Sequence, residues 1–249
     1  QDPAFERLTF CLIGVAMPSD LVEDEAVTPF NIGRSIALRD FTRDEMAAFL
    51  PSLTEHVQNP TGVLEEVFHW TDGHPYMAQT VCQHLCEESS AASIGQSATE
   101  RVAAVVHRVF LDKGRVQDSN LSYAEKSFNA DADRDGARLM RVMQREVRKD
   151  GTPSGSRAAF DSRESRTDAR VLFKDTRTAA MLALYGRLRT GQRVDADGQD
   201  RVQMALRLTG MAKEQAEAGG TFLKVRNQIF ADVFNSTWVR DLSAKRMLA

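Results

Sequence analysis

The chain has 249 residues, with 32 Lys and Arg against 35 Asp and Glu, which gives a net charge of −3. This length holds one large domain or two small ones, and the acidic balance argues against a dedicated nucleic-acid binder. The three cysteines are too few and too scattered for a disulfide framework, and no apolar run approaches the roughly 20 residues that span a bilayer. We therefore predict a cytoplasmic protein with no membrane partner.

The first predicted element is a strand at Leu8–Ala16 (L-T-F-C-L-I-G-V-A). A short, unbroken apolar run with β-branched and aromatic members is typical of a strand buried on both faces of a parallel sheet. Such a strand needs neighbours to satisfy its backbone hydrogen bonds. The pattern therefore predicts further strands upstream of Gln1, so that this chain is a piece of a longer protein.

The next stretch is predicted to be a helical bundle. Thr42-Arg-Asp-Glu45 is a capping box before an apolar run that Pro51 is expected to end. Asn59-Pro60 supplies an N-cap and a first-turn proline for a second helix, which should end at Gly73. His74-Pro75 begins a third helix, and the capping box Ser97-Ala-Thr-Glu100 begins a fourth.

Residues 118–128 and 137–147 are predicted to form two further helices. The segment 151–174 is rich in Ser, Arg, Asp and Gly and has almost no large apolar residue, so we predict a flexible linker or insert there.

The C-terminal segment is predicted to contain two helices, a hairpin and a last helix. Apolar stripes at helical spacing include Met181–Leu188 and Val202–Leu208. Strands at Met211–Ala216 and Phe222–Val225 flank Gly219-Gly220, a hairpin turn signal, and a final helix is predicted around Phe230–Trp238. Helix, helix, hairpin, helix is the order of a winged helix.

Four short blocks in order resemble the C-terminal half of AAA-like, STAND-type P-loop NTPases, which are large signalling ATPases. The blocks are L-I-G-V-A-M-P-S-D-L at Leu12–Leu21, T-P-F-N-I-G-R at Thr28–Arg34, W-T-D-G-H-P-Y at Trp70–Tyr76 and V-R-N-Q-I-F-A-D-V-F-N-S-T-W at Val225–Trp238. The phosphate-binding motif G-x-x-x-x-G-K-[ST] of such enzymes does not occur in the sequence.

The resemblance implies a mainly α fold with a remnant of a parallel α/β P-loop NTPase sheet, a helical lid bundle and a C-terminal winged helix. Residues 1–40 would end the nucleotide-binding domain and 41–150 would form the lid with a helical extension. Residues 151–175 would be the linker and 176–249 the winged helix. ATP or ADP with Mg²⁺ would bind in the intact protein, and no cofactor is expected for this chain alone.

The resemblance also implies roles for individual residues, all of them binding rather than catalytic, and none of them a metal ligand. A polar group near Ser19 would sense the nucleotide, the Gly73-His74-Pro75 turn would place a proline near the adenine, and Arg34 would approach the phosphates. Arg226 and Asn227 would hold the winged helix in the resting state. The residues themselves allow simpler interpretations: a tight interhelical turn at 73–75, a surface ion pair at Arg34, and helix capping by Arg226 and Asn227.

These features predict a nucleotide-dependent signalling switch whose partners are a P-loop half and the effector or sensor domains of the parent protein. This chain alone is not expected to hydrolyse ATP. Two alternatives stay open. One is a winged-helix DNA-binding regulator that uses Arg201, Gln203 and Arg207 on its recognition helix, and the other is a non-catalytic interaction scaffold.

Overall fold

The computed structural model describes residues 36, 38–88, 97–112, 117–128 and 177–247, with the side chains of 245–247 excepted. The chain divides into two compact units, Gln1–Arg39 and Asp40–Ala249. Only residues 36, 38 and 39 of the first unit are described, so the predicted strand at Leu8–Ala16 lies outside the described residues, as do the helix at 137–147 and the linker at 151–174.

The described part of the second unit is mainly helical, with one two-stranded antiparallel sheet. The prediction of a mainly α protein is therefore confirmed. In the part of the chain that the structure describes, no helix combines the length and the apolar character needed to cross a bilayer.

The first helical segment begins at the predicted capping box. The Thr42 side chain accepts a hydrogen bond from the Glu45 amide, and Glu45 accepts one from the Thr42 amide. Helix α1 (Arg43–Met46) passes through a 3₁₀ turn (Ala47–Phe49) into α2 (Leu50–Thr54). The prediction that Pro51 ends this helix is wrong, because Pro51 lies in the first turn of α2, where no intrahelical N–H bond is lost.

Four longer helical segments follow. Helix α3 (Pro60–Thr71) is capped by the Asn59 side chain, and α4 begins at Pro75 and ends at Glu87. Helix α5 (Ala98–Val106) begins with the predicted capping box of Ser97 and Glu100, and continues as one π-helical turn, His107–Leu111. Residues 119–128 form α6.

In the C-terminal part, residues 177–189 form α7 and Arg201–Leu208 form α8. Strands β1 (Ala212–Glu217) and β2 (Gly220–Val225) make the predicted hairpin, with Ala212 opposite Val225. The segment before α8 adds a short bridge to β2, since the Leu223 amide donates to the Val194 carbonyl and the Ala196 amide to the Thr221 carbonyl.

The predicted final helix is two helices, α9 (Gln228–Val233) and α10 (Ser236–Met247). The chain leaves the helical conformation at Phe234, and the Asn235 side chain accepts a hydrogen bond from the Trp238 amide, which begins the second helix. The apolar spacing of this segment continues across the break, so periodicity did not reveal it.

One apolar core joins the early helices to the C-terminal elements. Trp238 is central to it, with ring centroids 5.5 Å from Phe128, 5.0 Å from Phe234 and 6.2 Å from Tyr185. The Tyr185 hydroxyl, fully buried, donates to the Phe230 carbonyl oxygen. The described helices and the hairpin therefore share one apolar core.

Candidate functional site

The turn between α3 and α4 is the structural centre of the candidate site. Asp72 ends α3 in the left-handed conformation (φ 48°), and Gly73 follows it with φ 75°. Two successive left-handed residues reverse the chain within a few ångströms. A Cβ atom on Gly73 would lie 1.9 Å from the Phe41 carbonyl oxygen, and the Phe41 amide donates to the Gly73 carbonyl at 2.8 Å. Only glycine fits this position.

His74 and Pro75 begin α4. Pro75 occupies the first turn, where the missing N–H has no intrahelical partner to lose, and His74 is the N-cap without making a side-chain capping bond. The His74 ring stacks on Phe230 of α9, with centroids 6.4 Å apart and planes 28° apart. Burial and, second to it, the nearby Arg226 cation lower the pKa of His74 to about 4. His74 is therefore neutral at physiological pH.

The hairpin holds this turn through ion pairs. Lys213 of β1 lies 2.8 Å from Asp72 and 2.8 Å from Asp40, and Lys224 of β2 lies 2.5 Å from Asp72. Lys213 also donates to the Asp72 carbonyl at 3.1 Å. Arg226 completes the group with a 2.5 Å contact to Asp40. We call these five residues the charged junction.

The two lysines of the charged junction are directly opposite each other in the hairpin register. Like charges in that position destabilise an isolated antiparallel pair, because their side chains project from the same face. The carboxylate of Asp72 lies between them and compensates the repulsion. Burial raises the pKa of Asp72, but the hydrogen bonds and charges of Lys213 and Lys224 outweigh it and hold the pKa below its usual value.

Asn227 joins the same turn to α9. It is buried, and its side-chain oxygen accepts a bond from the Phe230 amide at 3.0 Å, which caps α9. Its side-chain nitrogen donates to the Thr71 carbonyl at 2.9 Å, at the last turn of α3. The Asn227 side-chain amide thus pairs with a free N–H group at the start of α9 and with a free carbonyl group at the end of α3.

The structure brings together five of the seven residues predicted to bind nucleotide. Gly73, His74 and Pro75 form the turn, and Arg226 and Asn227 contact it or its neighbours. Ser19 and Arg34 lie outside the described residues. The capping interpretation of Asn227 and the turn interpretation of Gly73 agree with the geometry, while nucleotide contact by these residues stays a prediction.

Sequence reasoning missed the acidic half of the charged junction and both of its lysines. The predicted turn at Gly219-Gly220 would pair Lys213 with Arg226, whereas the observed turn is one residue earlier, at Ala218-Gly219, and pairs Lys213 with Lys224. Two opposed lysines on one face indicate that a carboxylate from elsewhere lies between them. The sequence could not identify Asp40 and Asp72 as the source.

Two of the three residues predicted for DNA recognition, Gln203 and Arg207, are engaged within the protein, whereas Arg201 is exposed. Gln203 is buried rather than presented, since its amide nitrogen donates to the Asp195 carbonyl and its oxygen accepts from the Asp197 amide. Arg207 forms an ion pair with Glu214 of β1. Among the described residues, no group of three or more His, Cys, Asp or Glu side chains is arranged to hold a metal ion.

Comparison with known proteins finds a distant relative. An uncharacterized WD repeat-containing protein of Synechocystis sp. is 26% identical over 238 residues, which is 96% of this chain and 16% of the relative. The chain thus spans about a sixth of the length of the curated relative that it matches. No protein-family model and no solved structure matches the chain.

Proposed function

We propose that this chain is the lid and winged-helix portion of a STAND-type, AAA-like nucleotide-dependent signalling switch. The observation that carries the proposal is the charged junction. The turn that resembles the lid motif of these ATPases, Gly73–Pro75, is held by the hairpin and by the start of α9 through Asp40, Asp72 and Asn227. A displacement of the turn by nucleotide would therefore move the C-terminal elements with it.

The order of the C-terminal elements supports the winged-helix part of the proposal. Helices α7 and α8 precede the hairpin, and the chain between them bridges β2 at Asp195 and Phe222. Helix α9 follows directly. This arrangement suits a module that packs on its neighbours, because its apolar residues join the common core.

The described residues limit how a nucleotide could contact the turn. The His74 ring already stacks on Phe230, Arg226 pairs with Asp40, and the Asn227 side chain makes three hydrogen bonds. Pro75, which is half-buried at the start of α4, is the group that remains for the adenine of ATP or ADP. The phosphates and Mg²⁺ would need a P-loop, which these 249 residues lack, so this chain alone is not expected to hydrolyse ATP.

The distant relative is consistent with a module inside a larger assembly. Its printed description gives it WD repeats, which form four-stranded propeller blades, whereas the described residues of this chain are mainly helical. We propose that this chain likewise works beside effector or sensor domains. The free thiols of Cys82 and Cys86 favour a reducing compartment such as the cytoplasm.

Calorimetric titration with ATP and with ADP, in the presence of Mg²⁺, tests the proposal. The 249-residue chain is compared with a longer chain from the same gene that includes the residues upstream of Gln1. We expect binding by the longer chain only, weakened at least about tenfold by Pro75→Ala, since an adenine contact of about 1.4 kcal/mol is lost.

Pro60→Ala is the matched control, because Pro60 begins α3 as Pro75 begins α4 and lies away from the turn. The control should leave the affinity unchanged. Absence of binding by both chains, or equal effects of the two proline variants, would overturn the nucleotide role of the turn. Salt-dependent binding of a DNA duplex by the 249-residue chain would instead favour the DNA-binding alternative.

A further inference from the structure

A cleft separates the C-terminal half of α3 from the end of α7 and the start of α9. Its volume is about 570 Å³, within the range of small-molecule sites. Phe68, Leu188, Val225 and Ala231 give it apolar walls. The other nine lining residues are charged, polar or glycine, so the cleft suits a small organic ligand that carries a charge.

Most charged groups that line the cleft already have partners. Arg43 pairs with Glu65, Lys224 pairs with Asp72, and Asp232 accepts a hydrogen bond from Gln228. None of these groups needs a ligand to be satisfied.

Arg189 is the exception. Its Nε and Nη1 atoms are buried without a hydrogen-bond acceptor. Its interaction is with the hydroxyl of Tyr185, which is not an anion at neutral pH, since burial raises its pKa. Among the described side chains no carboxylate forms an ion pair with the Arg189 guanidinium, although Asp232 lines the same cleft.

A half-buried guanidinium without a counter-ion is energetically unfavourable, and its planar donors match a carboxylate or a phosphate. We propose that the cleft binds a small organic ligand through one oxyanion group held by Arg189, while the rest of the ligand lies against Phe68 and Leu188. The cleft shares Asp72, Lys224 and Asn227 with the contacts around the turn, but none of its lining residues is Gly73, His74 or Pro75, so its test needs no nucleotide.

The test uses the 249-residue chain without nucleotide, at pH 7 and constant ionic strength. Phenyl phosphate, benzoate and inorganic phosphate are titrated separately and followed by amide chemical shifts in two-dimensional NMR. We expect saturable shifts at the cleft, with the better aromatic probe bound about tenfold more tightly than inorganic phosphate, since its ring is removed from water. The order of phenyl phosphate and benzoate tells whether the oxyanion is a phosphate or a carboxylate.

Arg189→Gln should weaken binding of the better probe at least about tenfold, whereas Arg240→Gln, at a side chain that is 75% exposed on α10, should leave it unchanged. Asp232→Asn should tighten binding severalfold, because it removes a negative charge from the cleft without changing the shape of the side chain.

Circular dichroism checks whether Arg189→Gln folds. If it does not fold, Asp232→Asn still tests the proposal. Absence of saturable shifts in the wild-type protein up to about 10 mM of each probe would overturn the proposal. So would equal binding by the Arg189 and Arg240 variants, or weaker binding by Asp232→Asn.

Discussion

Asp72→Asn is the substitution that most directly tests the charged junction. Asparagine adopts the left-handed conformation as readily as aspartate, so the backbone at φ 48° is kept and only the charge is removed. Lys213 and Lys224 would then face each other without the carboxylate that lies 2.8 Å and 2.5 Å from them. The expected result is a loss of stability without a change of fold.

The magnitude follows from the exposure of the three side chains, which are 25%, 16% and 36% exposed for Asp72, Lys213 and Lys224. A fully exposed ion pair contributes about 0–1 kcal/mol, and breaking a fully buried one costs about 3–5 kcal/mol. This junction lies between these cases, so we expect a loss of about 2 kcal/mol. For a chain of this size that corresponds to a fall in Tm of about 4–8 °C.

Urea unfolding followed by circular dichroism measures this loss, and Asp241→Asn is the control. Asp241 is 61% exposed on α10 and 4.0 Å from Arg240, so its neutralisation should change the free energy of unfolding by less than about 0.5 kcal/mol. The loss at Asp72 should be partly restored by a second substitution, Lys224→Gln, because the repulsion across the hairpin is then removed. Equal stability of the Asp72 and Asp241 variants would refute the reasoning.

Two further predictions concern the same turn. Gly73→Ala should lower the free energy of unfolding in urea by at least about 3 kcal/mol, because the added Cβ would lie 1.9 Å from the Phe41 carbonyl oxygen. Gly191→Ala is the control: its φ is a similar 73° but no atom lies within 4 Å, so it should cost only about 1 kcal/mol of backbone strain, and equal costs would contradict the clash. The pKa of His74 is about 4 in the folded protein and 6.5 for the free side chain. As the pH falls, His74 is therefore protonated in the unfolded chain before it is protonated in the folded one, and the free energy of unfolding should decrease between about pH 6.5 and pH 4. Between pH 7 and pH 4.5 this protonation should lower the free energy of unfolding of the wild-type protein by about 2 kcal/mol, a decrease that His74→Gln should not show. Identical pH profiles for the wild type and His74→Gln would contradict a buried neutral imidazole.

Local structure was largely predictable from the sequence. The capping boxes at Thr42 and Ser97 mark helix starts through contacts three residues apart. The glycine pair 219–220 predicted the hairpin, although the turn itself is Ala218-Gly219, one residue earlier. The exceptions were also local. Proline is compatible with the first turn of a helix as well as with the position after its end, and Pro51 takes the first turn of α2. Asn235 caps a new helix at a point where the apolar spacing of the sequence does not change.

The charged junction could not be predicted in the same way. Its bonds join residues 141 to 186 positions apart, and each partner taken alone has the pattern of a surface charge. Periodicity identifies which face of an element is apolar, but it does not determine which carboxylate meets which lysine. Of the candidate site, the turn and Asn227 were predicted from motifs, and the residues that hold them were found only in the structure.

The left-handed backbone at position 72 has a consequence for reading related sequences. Backbone conformation there admits glycine, asparagine and aspartate, whereas the opposed lysines require a negative charge, so aspartate alone meets both conditions. A relative with asparagine or glycine at this position should have lost one of the two lysines, and a relative with aspartate should have kept both. In any related sequence, the residues at positions 72, 213 and 224 together therefore indicate whether the ion pairs between the turn and the hairpin are present.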